Sequence, residues 1–324
     1  MMLDERTSTK IRTISMVAML AVVAWHSECG ASVEKWVIPW LTTWSVPWFF
    51  LVSGFFFVKT ADKMRRESFL RKKFKSLVVP YVFWCIVGWC LWQPSLSGWG
   101  GELLGLSSAI FPRGNWPLWY VRALIFFMVI SILIYPLCMR LRNRYFSYVL
   151  FSIFVLMSYL ALMRIGVGVS PRSSVIFFLL GCGIAMSNLD LNGGTMRNGL
   201  SLLLCVGSFV LMILLRLFFD SHVTNNLAIA ASIFGIWLLV DLCMSCHQGN
   251  GILYLTPGIY FMHGPLIKTF DKYLEEGVVS GMNAWQMNAY YFARTIGFFI
   301  LVGLLCYAIK RFSPRFAAIV FGGR

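Results

Sequence analysis

The sequence is poor in charged residues. Only 13% of its 324 residues are Asp, Glu, Lys or Arg, whereas 59% are hydrophobic. A soluble protein carries about 25% charged residues, so the polar side chains here are too few to cover a globule and lipid must cover much of the surface. This shortage excludes an ordinary soluble fold, and the sequence predicts an all-α integral membrane protein.

The sequence has fewer acidic than basic residues. The chain has 13 Asp and Glu against 28 Lys and Arg, which gives a formal net charge of +15. In a soluble protein such an excess would indicate nucleic-acid binding. In a membrane protein it is explained by basic loops on the cytoplasmic side, and we therefore predict no nucleic-acid partner.

The nine cysteines do not have the pattern of a secreted disulfide framework. Most lie in apolar runs, where cysteine behaves as a small buried hydrophobe; these are Cys85, Cys90, Cys138, Cys182, Cys205, Cys243 and Cys306. The segment "CMSCH" at 243–247 matches the pattern of c-type haem attachment. It falls at the cytoplasmic end of a predicted span, whereas that attachment takes place outside the membrane, so we predict neither haem nor a metal site.

Apolar segments alternate with basic loops along the whole chain. A helix needs about 20 mostly apolar residues to cross the hydrocarbon core. About ten segments qualify, and the first is interpreted as a retained span because no small-residue cleavage site follows it. The predicted spans are 11–28, 36–58, 77–93, 118–138, 145–163, 174–188, 199–219, 227–245, 252–270 and 289–310.

The Lys and Arg bias predicts how these spans are oriented. Basic residues concentrate before the first span, between the second and third, and after the tenth. The positive-inside rule then places both termini in the cytoplasm, in a single domain over 1–324 of a cytoplasmic-membrane protein. The longest loop on the other side, 94–117, is rich in Gly and Trp, and we predict that it packs as a lid or a re-entrant segment.

Two histidines lie inside predicted spans, where an ionisable side chain is costly and usually faces a partner or a water-filled cavity. His26 and His263 fall in the outer halves of the first and ninth spans. A rise of about 1.5 Å per residue places them at similar depths, which predicts a proton-handling site. The alternative is that each imidazole donates to a backbone carbonyl and ties helices together.

Arg12 precedes His26 by about 21 Å along the same helix and falls on the same face. The pair predicts a ligand that enters lengthwise from the cytoplasm, with its anionic end at Arg12 and its reactive end at His26. For the cations near the ends of other spans we expect the side chain to reach the interface instead; these are Arg216, Lys268 and Arg294.

Four segments resemble signatures of the membrane acyltransferase-3 family. "VPWFFLVSGFFF" at 46–57 is similar to the second-span signature, and "FLRKKFKSLVVPYVFW" at 69–84 is similar to the basic loop that enters the third span. "PLWYVRALIF" at 117–126 and "TPGIYFMHGPLI" at 256–267 resemble two later signatures. The four occur in the family's order, so the resemblance covers nearly the whole chain.

The resemblance implies an O-acyltransferase that moves an acyl group, usually acetyl from cytoplasmic acetyl-CoA, to a hydroxyl of a glycan or other acceptor at the outer side. The family's first span carries an Arg and an essential His separated by ten residues. His26 matches that His, whereas Ser15 stands at the Arg position. Arg12, about one turn earlier on the same face, is the residue that can take over the role of that Arg.

The predicted catalytic residues are His26, His263 and Arg122. A neutral imidazole can take the proton of an acceptor hydroxyl as the thioester is attacked, and whether His26 acts as base or carries the acyl group stays open. Hydrogen-bond donors are needed for the developing oxyanion, and the candidates are Ser53, Trp119, Tyr120 and Arg122. The residues predicted to contact the substrate are Glu28, Ser53, Trp119 and Tyr120.

Acetyl-CoA is predicted as a co-substrate, with no permanently bound cofactor. A basic run is expected to hold the CoA phosphates, or alternatively to anchor the loop to anionic lipid; its members are Arg71, Lys72, Lys73 and Lys75. The acceptor is expected to be a glycan, a lipid-linked sugar or a small hydroxyl compound. A proton-coupled transporter or flippase is the alternative function, although the two halves of the chain show no convincing repeat.

Overall fold

The computed structural model describes residues 4–61, 66–92, 118–141, 143–164, 173–187, 198–219, 221–243, 251–271, 273 and 276–322. Every regular element in these ranges is a helix, with no strand among them. The all-α prediction is therefore confirmed. The predicted lid at 94–117 and the haem-like motif after Cys243 lie outside the described residues.

The α-helices of the described residues are numbered here in chain order. The first six are α1 (Glu5–His26), α2 (Ser32–Trp36), α3 (Ile38–Thr42), α4 (Ser45–Ala61), α5 (Arg66–Lys73) and α6 (Val79–Trp92). The next five are α7 (Trp119–Cys138), α8 (Arg144–Arg164), α9 (Ser173–Met186), α10 (Asn198–Phe218) and α11 (His222–Cys243). The last four are α12 (Thr256–Phe270), α13 (Glu276–Val279), α14 (Ala284–Phe312) and α15 (Pro314–Val320).

Six helical segments of the described chain are long and apolar enough to cross a membrane. They are Glu5–His26, Ile38–Ala61, Trp119–Cys138, Gly199–Phe218, His222–Cys243 and Ala284–Phe312. The shorter helices Tyr145–Ala161 and Ser173–Met186 are also apolar. The structure thus supports a multi-pass membrane protein, with fewer helices of full spanning length than the sequence predicts.

Two of the predicted spans are short α-helices that continue another helical segment. A π-helical turn at Phe74–Val78 joins α5 directly to α6, and a 3₁₀ turn at Gly251–Leu255 leads into α12. The predicted span 36–58 is divided between α3 and α4. Pro47 lies in the first turn of α4, where its missing backbone donor is tolerated, so the helix restarts there instead of running through.

The helices α4 and α9 pack in close contact, and glycine makes this contact possible. A Cβ added at Gly54 would lie 2.0 Å from the carbonyl oxygen of Phe178, and one at Gly181 would lie 1.9 Å from that of Leu51. Only hydrogen fits at these positions, so the two backbones touch. Small residues at a helix interface are typical of membrane bundles, where they allow such close packing.

The helix α1 lies at the centre of the bundle, against α3, α4, α11, α12 and α14. Its N-terminus is capped by Asp4, whose side chain accepts from the backbone N–H of Thr7 at 2.7 Å. Lys10 is buried near this end, 3.1 Å from the Asp241 carboxylate and 3.9 Å from the centre of the Trp237 ring. These contacts fix α1, which carries one side of the candidate site.

Candidate active site

The structure brings the two predicted histidines together. His26 is the last residue of α1, and His263 is fully buried in α12. Their ring centroids are 5.3 Å apart with an angle of 45° between the planes. The two histidines, which the helical rise placed at similar depths, are therefore in direct ring contact. The catalytic role of the pair stays a prediction.

The hydrogen bonds of His263 define which of its nitrogens carries the proton. Nδ1 lies 2.6 Å from the carbonyl oxygen of Tyr260 and 3.2 Å from that of Ile259. Both partners can only accept, so Nδ1 must be the donor and Nε2 holds the lone pair of the neutral ring. Nε2 is buried and has no hydrogen-bond partner among the described residues, which leaves it able to accept a proton.

A cavity of about 480 Å³ lies beside the N-terminal half of α1. It is bounded mainly by α1, α4, α7, α12 and the π turn, and its polar lining residues are Ser8, Arg12, Ser15, Ser53, Lys73, Ser76, Tyr120, Tyr254, Thr256 and Tyr260. The segment formed by the 3₁₀ turn and α12 runs in the same direction as α1, because Arg12 contacts Tyr254 in the turn and His26 contacts His263 in α12. The cavity therefore points along α1 toward the histidine pair.

An aromatic wall separates this cavity from the histidines. The Tyr260 ring lies 5.4 Å from that of Tyr120 and 5.6 Å from that of His263, measured between centroids. Tyr120 and Ser53, both predicted to contact the substrate, share a hydrogen bond of 3.1 Å at the cavity surface. The lining includes Tyr260 but neither histidine, so the Tyr260 ring lies between the cavity and His263.

Arg12 supplies a cation to the wall of the cavity. Its Nη1 donates to the hydroxyl of Tyr254 at 2.6 Å, and its guanidinium carbon lies 4.3 Å from the centre of that ring. Ser15 lies in the same wall, where its Oγ donates to the carbonyl of Ile11 at 2.7 Å and accepts from Nε1 of Trp48 at 3.1 Å. Arg12 and Ser15 therefore line the same cavity, and Arg12 brings a cation to it.

The predicted basic run divides into one cavity residue and several surface residues. Lys73 is half-buried and lines the cavity. Its ammonium lies 5.4 Å from the centre of the Phe69 ring. The other members are exposed and outside the lining: Arg71, Lys72 and Lys75.

Two further predicted residues lie outside the cavity lining. Arg122 interacts electrostatically with Tyr81 and Cys85, which belong to α6. Trp119 packs against Phe50, with ring centroids 6.2 Å apart. Both therefore contact the helices around the cavity instead of the space itself.

Arg294 is a site residue that the sequence interpretation missed. We expected its side chain to reach the membrane interface, but this expectation was wrong: the residue is 5% exposed. Its Nη2 forms an ion pair with Asp271, and its Nη1 donates to the carbonyl of Glu28 at 2.9 Å. Glu28, predicted to bind substrate, is exposed and contributes its backbone here; Lys268, also exposed, interacts electrostatically with His26.

The turn that follows His26 is organised by Glu34. One carboxylate oxygen accepts from the backbone N–H of Cys29 at 2.8 Å and lies 3.3 Å from its sulfur, and the other accepts from the N–H of Gly30 at 3.2 Å. Burial and this carboxylate raise the pKa of the Cys29 thiol to about 12. The thiol is therefore protonated at neutral pH and serves as a donor within the turn.

Comparison with known proteins gives one match to a family. A family model described as an acyltransferase domain, that of the acyltransferase-3 family, matches residues 14–315. The match includes both histidines and begins just before Ser15. No curated protein and no solved structure matches the chain. The family match covers most of the chain and confirms the resemblance in the four sequence segments, so the chain belongs to the acyltransferase-3 family of membrane acyltransferases.

Proposed function

We propose that this acyltransferase moves an acetyl group from acetyl-CoA to a hydroxyl of a cell-envelope glycan, a lipid-linked sugar or a small acceptor. The observation that carries the proposal is the histidine contact beyond the deep end of a cavity that has cations at its other end. Acetyl-CoA fits such a cavity, because its anionic phosphates can lie at the cationic end and its thioester at the end near the histidines.

The proposal includes ten spans, with both termini on the cytoplasmic side of the inner membrane. Basic residues from three distant parts of the chain support this orientation, because they meet at the N-terminal end of α1. Arg12 and Lys73 line the cavity there, and Lys310 donates to the carbonyl of Tyr254 at 2.7 Å. Positive charge gathered at one end of a bundle marks the cytoplasmic face, which is where acetyl-CoA is available.

The donor is proposed to bind with its phosphates near Arg12 and Lys73 and its thioester near Ser53 and Tyr120. The cavity volume of about 480 Å³ is within the usual range for ligand pockets. It suits the pantetheine arm, while the nucleotide part rests outside among the exposed cations Arg71, Lys72 and Lys75. Charge-assisted contacts between cationic side chains and phosphate are strong and directional.

In the proposed reaction, His26 removes the proton of the acceptor hydroxyl, and the oxygen attacks the thioester carbon. The new C–O bond forms, the C–S bond breaks, and the proton passes to the leaving sulfur to give free CoA. His263, whose ring contacts that of His26 and whose Nε2 is buried without a hydrogen-bond partner among the described residues, is proposed to stabilise the proton on the pair. Because the ring of Tyr260 stands between the cavity and His263, this ring must move aside before the thioester bound near Tyr120 can meet the histidine pair.

The hydroxyl of Tyr120 and Ser53 are the proposed donors to the oxyanion that develops on the thioester carbonyl. They share one hydrogen bond at the cavity surface, and Tyr120 also donates to the carbonyl of Phe49 at 3.3 Å. Because Tyr120 gives its one proton to Phe49, Ser53 donates to Tyr120 in this structure, and the Ser53 hydroxyl must turn toward the thioester to donate to the oxyanion. Arg122, near the same part of α7, would add positive charge to the surroundings.

This function is tested by incubating membranes that contain the protein with radiolabelled acetyl-CoA and measuring the transfer of label to an acceptor. We expect label to enter an extractable glycan, lipid or small metabolite, with a mass increase of one acetyl group, and His26→Ala to abolish the transfer at normal protein level. His222→Ala is the matched control, because His222 is exposed at the start of α11. Full transfer by His26→Ala would contradict the mechanism, and translocation of a precursor without acetyl transfer would indicate a flippase.

A further inference from the structure

The end of α1 is held by two side chains of α14. The hydroxyl of Tyr291 donates to the carbonyl of Ala24 at 2.6 Å, and Nη1 of Arg294 donates to the carbonyl of Glu28 at 2.9 Å. His26 lies midway between these two acceptors in the sequence. The backbone on both sides of the imidazole is therefore tied to a neighbouring helix.

Arg294 also reaches the second histidine helix. Its Nη2 pairs with Asp271, the residue directly after α12, which carries His263. The side chain is 1% exposed, and its guanidinium carbon lies 5.8 Å from the centre of the Phe270 ring and 6.0 Å from that of Phe298. The planar guanidinium can hold two acceptors at fixed angles, so one side chain links the end of α1 to the end of α12.

The position of His26 makes this link important. The last carbonyls of a helix lack partners within the helix, and helix ends fray when nothing satisfies them. His26 is the final residue of α1, and the chain turns at once through Gly30, whose φ of +87° is in the left-handed region. Ser27 closes the helix locally, since its N–H donates to the carbonyl of Ala24 at 3.3 Å and its Oγ to that of Val23 at 2.8 Å; the contacts from α14 fix this end relative to the neighbouring helices.

We propose that Arg294 and Tyr291 are positioning residues that set the distance between His26 and His263. They act through the carbonyls of Ala24 and Glu28 and through Asp271, and neither belongs to the cavity lining. The inference itself concerns geometry, and its effect on catalysis rests on the proposed function. Misplacing a catalytic group by about 1 Å can cost on the order of 100-fold in rate.

Kinetics on acetyl-CoA in membranes give the first test. We expect Arg294→Ala to lower kcat by roughly tenfold or more with an unchanged KM for acetyl-CoA, because Arg12 and Lys73 at the far end of the cavity are untouched. Arg294→Lys should recover part of the loss, since one ammonium cannot hold both acceptors in the same geometry. Ile296→Ala, at a half-exposed position of the same helix, should behave as wild type. A raised KM with normal kcat would overturn the proposal.

A chemical test does not require catalysis. Purified protein is treated with diethylpyrocarbonate, and mass spectrometry follows the modification rate of His26 relative to the exposed His222. We expect the relative rate to rise severalfold in Arg294→Ala and less in Tyr291→Phe, which removes one hydroxyl, and to stay unchanged in Ile296→Ala.

The two tests separate the positioning role from the proposed function. If Arg294→Ala does not fold, Tyr291→Phe decides the chemical test by itself. Unchanged His26 reactivity in the folded variants would refute the positioning role whatever the activity. A raised His26 reactivity in Arg294→Ala, together with no acetyl transfer by the wild-type protein, would keep the positioning role and refute the proposed function.

Discussion

Replacement of Arg12 by Ala should weaken binding of acetyl-CoA without slowing the transfer itself. Hydrogen bonds to a charged group contribute about 1.5–3 kcal/mol. Since each 1.4 kcal/mol is tenfold in affinity, KM should rise about 10- to 150-fold. Arg12 stands about 21 Å from His26 along α1, so kcat should be unaffected, which is the pattern expected when binding is lost equally in the ground and transition states.

The assay is initial-rate release of CoA by membranes over a range of acetyl-CoA concentrations. Arg6→Ala is the matched control, because Arg6 is on the same helix but pairs with Asp241 and lies outside the cavity lining. Ser15→Arg in the Arg12→Ala background should restore the low KM, since Ser15 lines the same cavity. An unchanged KM in Arg12→Ala would refute the assignment of this cavity to the donor.

Three other predictions follow from particular contacts. Gly54→Ala should destabilise the protein by about 1–3 kcal/mol or more, seen as a lower melting temperature in detergent, whereas Gly207→Ala, with nothing within 4 Å of its added Cβ, should not. Lys73→Ala should raise the KM for acetyl-CoA more than Lys72→Ala does, because only Lys73 of the two lines the cavity; an unchanged KM in both variants would indicate lipid anchoring. Because the pKa of Cys29 is raised to about 12, its maleimide labelling should be slow at pH 7 and accelerate up to pH 10; fast labelling at pH 7 would contradict the turn geometry.

The sequence predicts the parts of this structure that depend on composition and distance along one helix. The shortage of charge indicates a helical membrane protein, and the helical rise alone places His26 and His263 at similar depths. The chain segment around His263 also carries part of the family resemblance. These features could be predicted because they depend on composition and on spacing within a single helix.

The sequence could not predict features that depend on which helices are neighbours. Arg294 was expected at the interface because it lies near the end of a span, but its partners Asp271 and Glu28 come from other parts of the chain. The wall formed by Tyr260 depends in the same way on the rotation of α12 about its axis. The sequence signal for this ion pair is an Asp near the start of a loop followed by an Arg in the next span. Only the packing of the helices shows that the two side chains are in contact.

The central claim is that His26 and His263 act as one catalytic unit. The most direct measurement compares kcat/KM for acetyl transfer in His26→Ala, His263→Ala and the double variant, with folded protein verified for each. General acid–base groups contribute about 10²- to 10⁴-fold, and residues that act together are not additive. We predict that each single variant loses activity on this scale and that the double variant loses no more than the worse single one. Wild-type activity in His263→Ala, or losses that multiply in the double variant, would contradict the account.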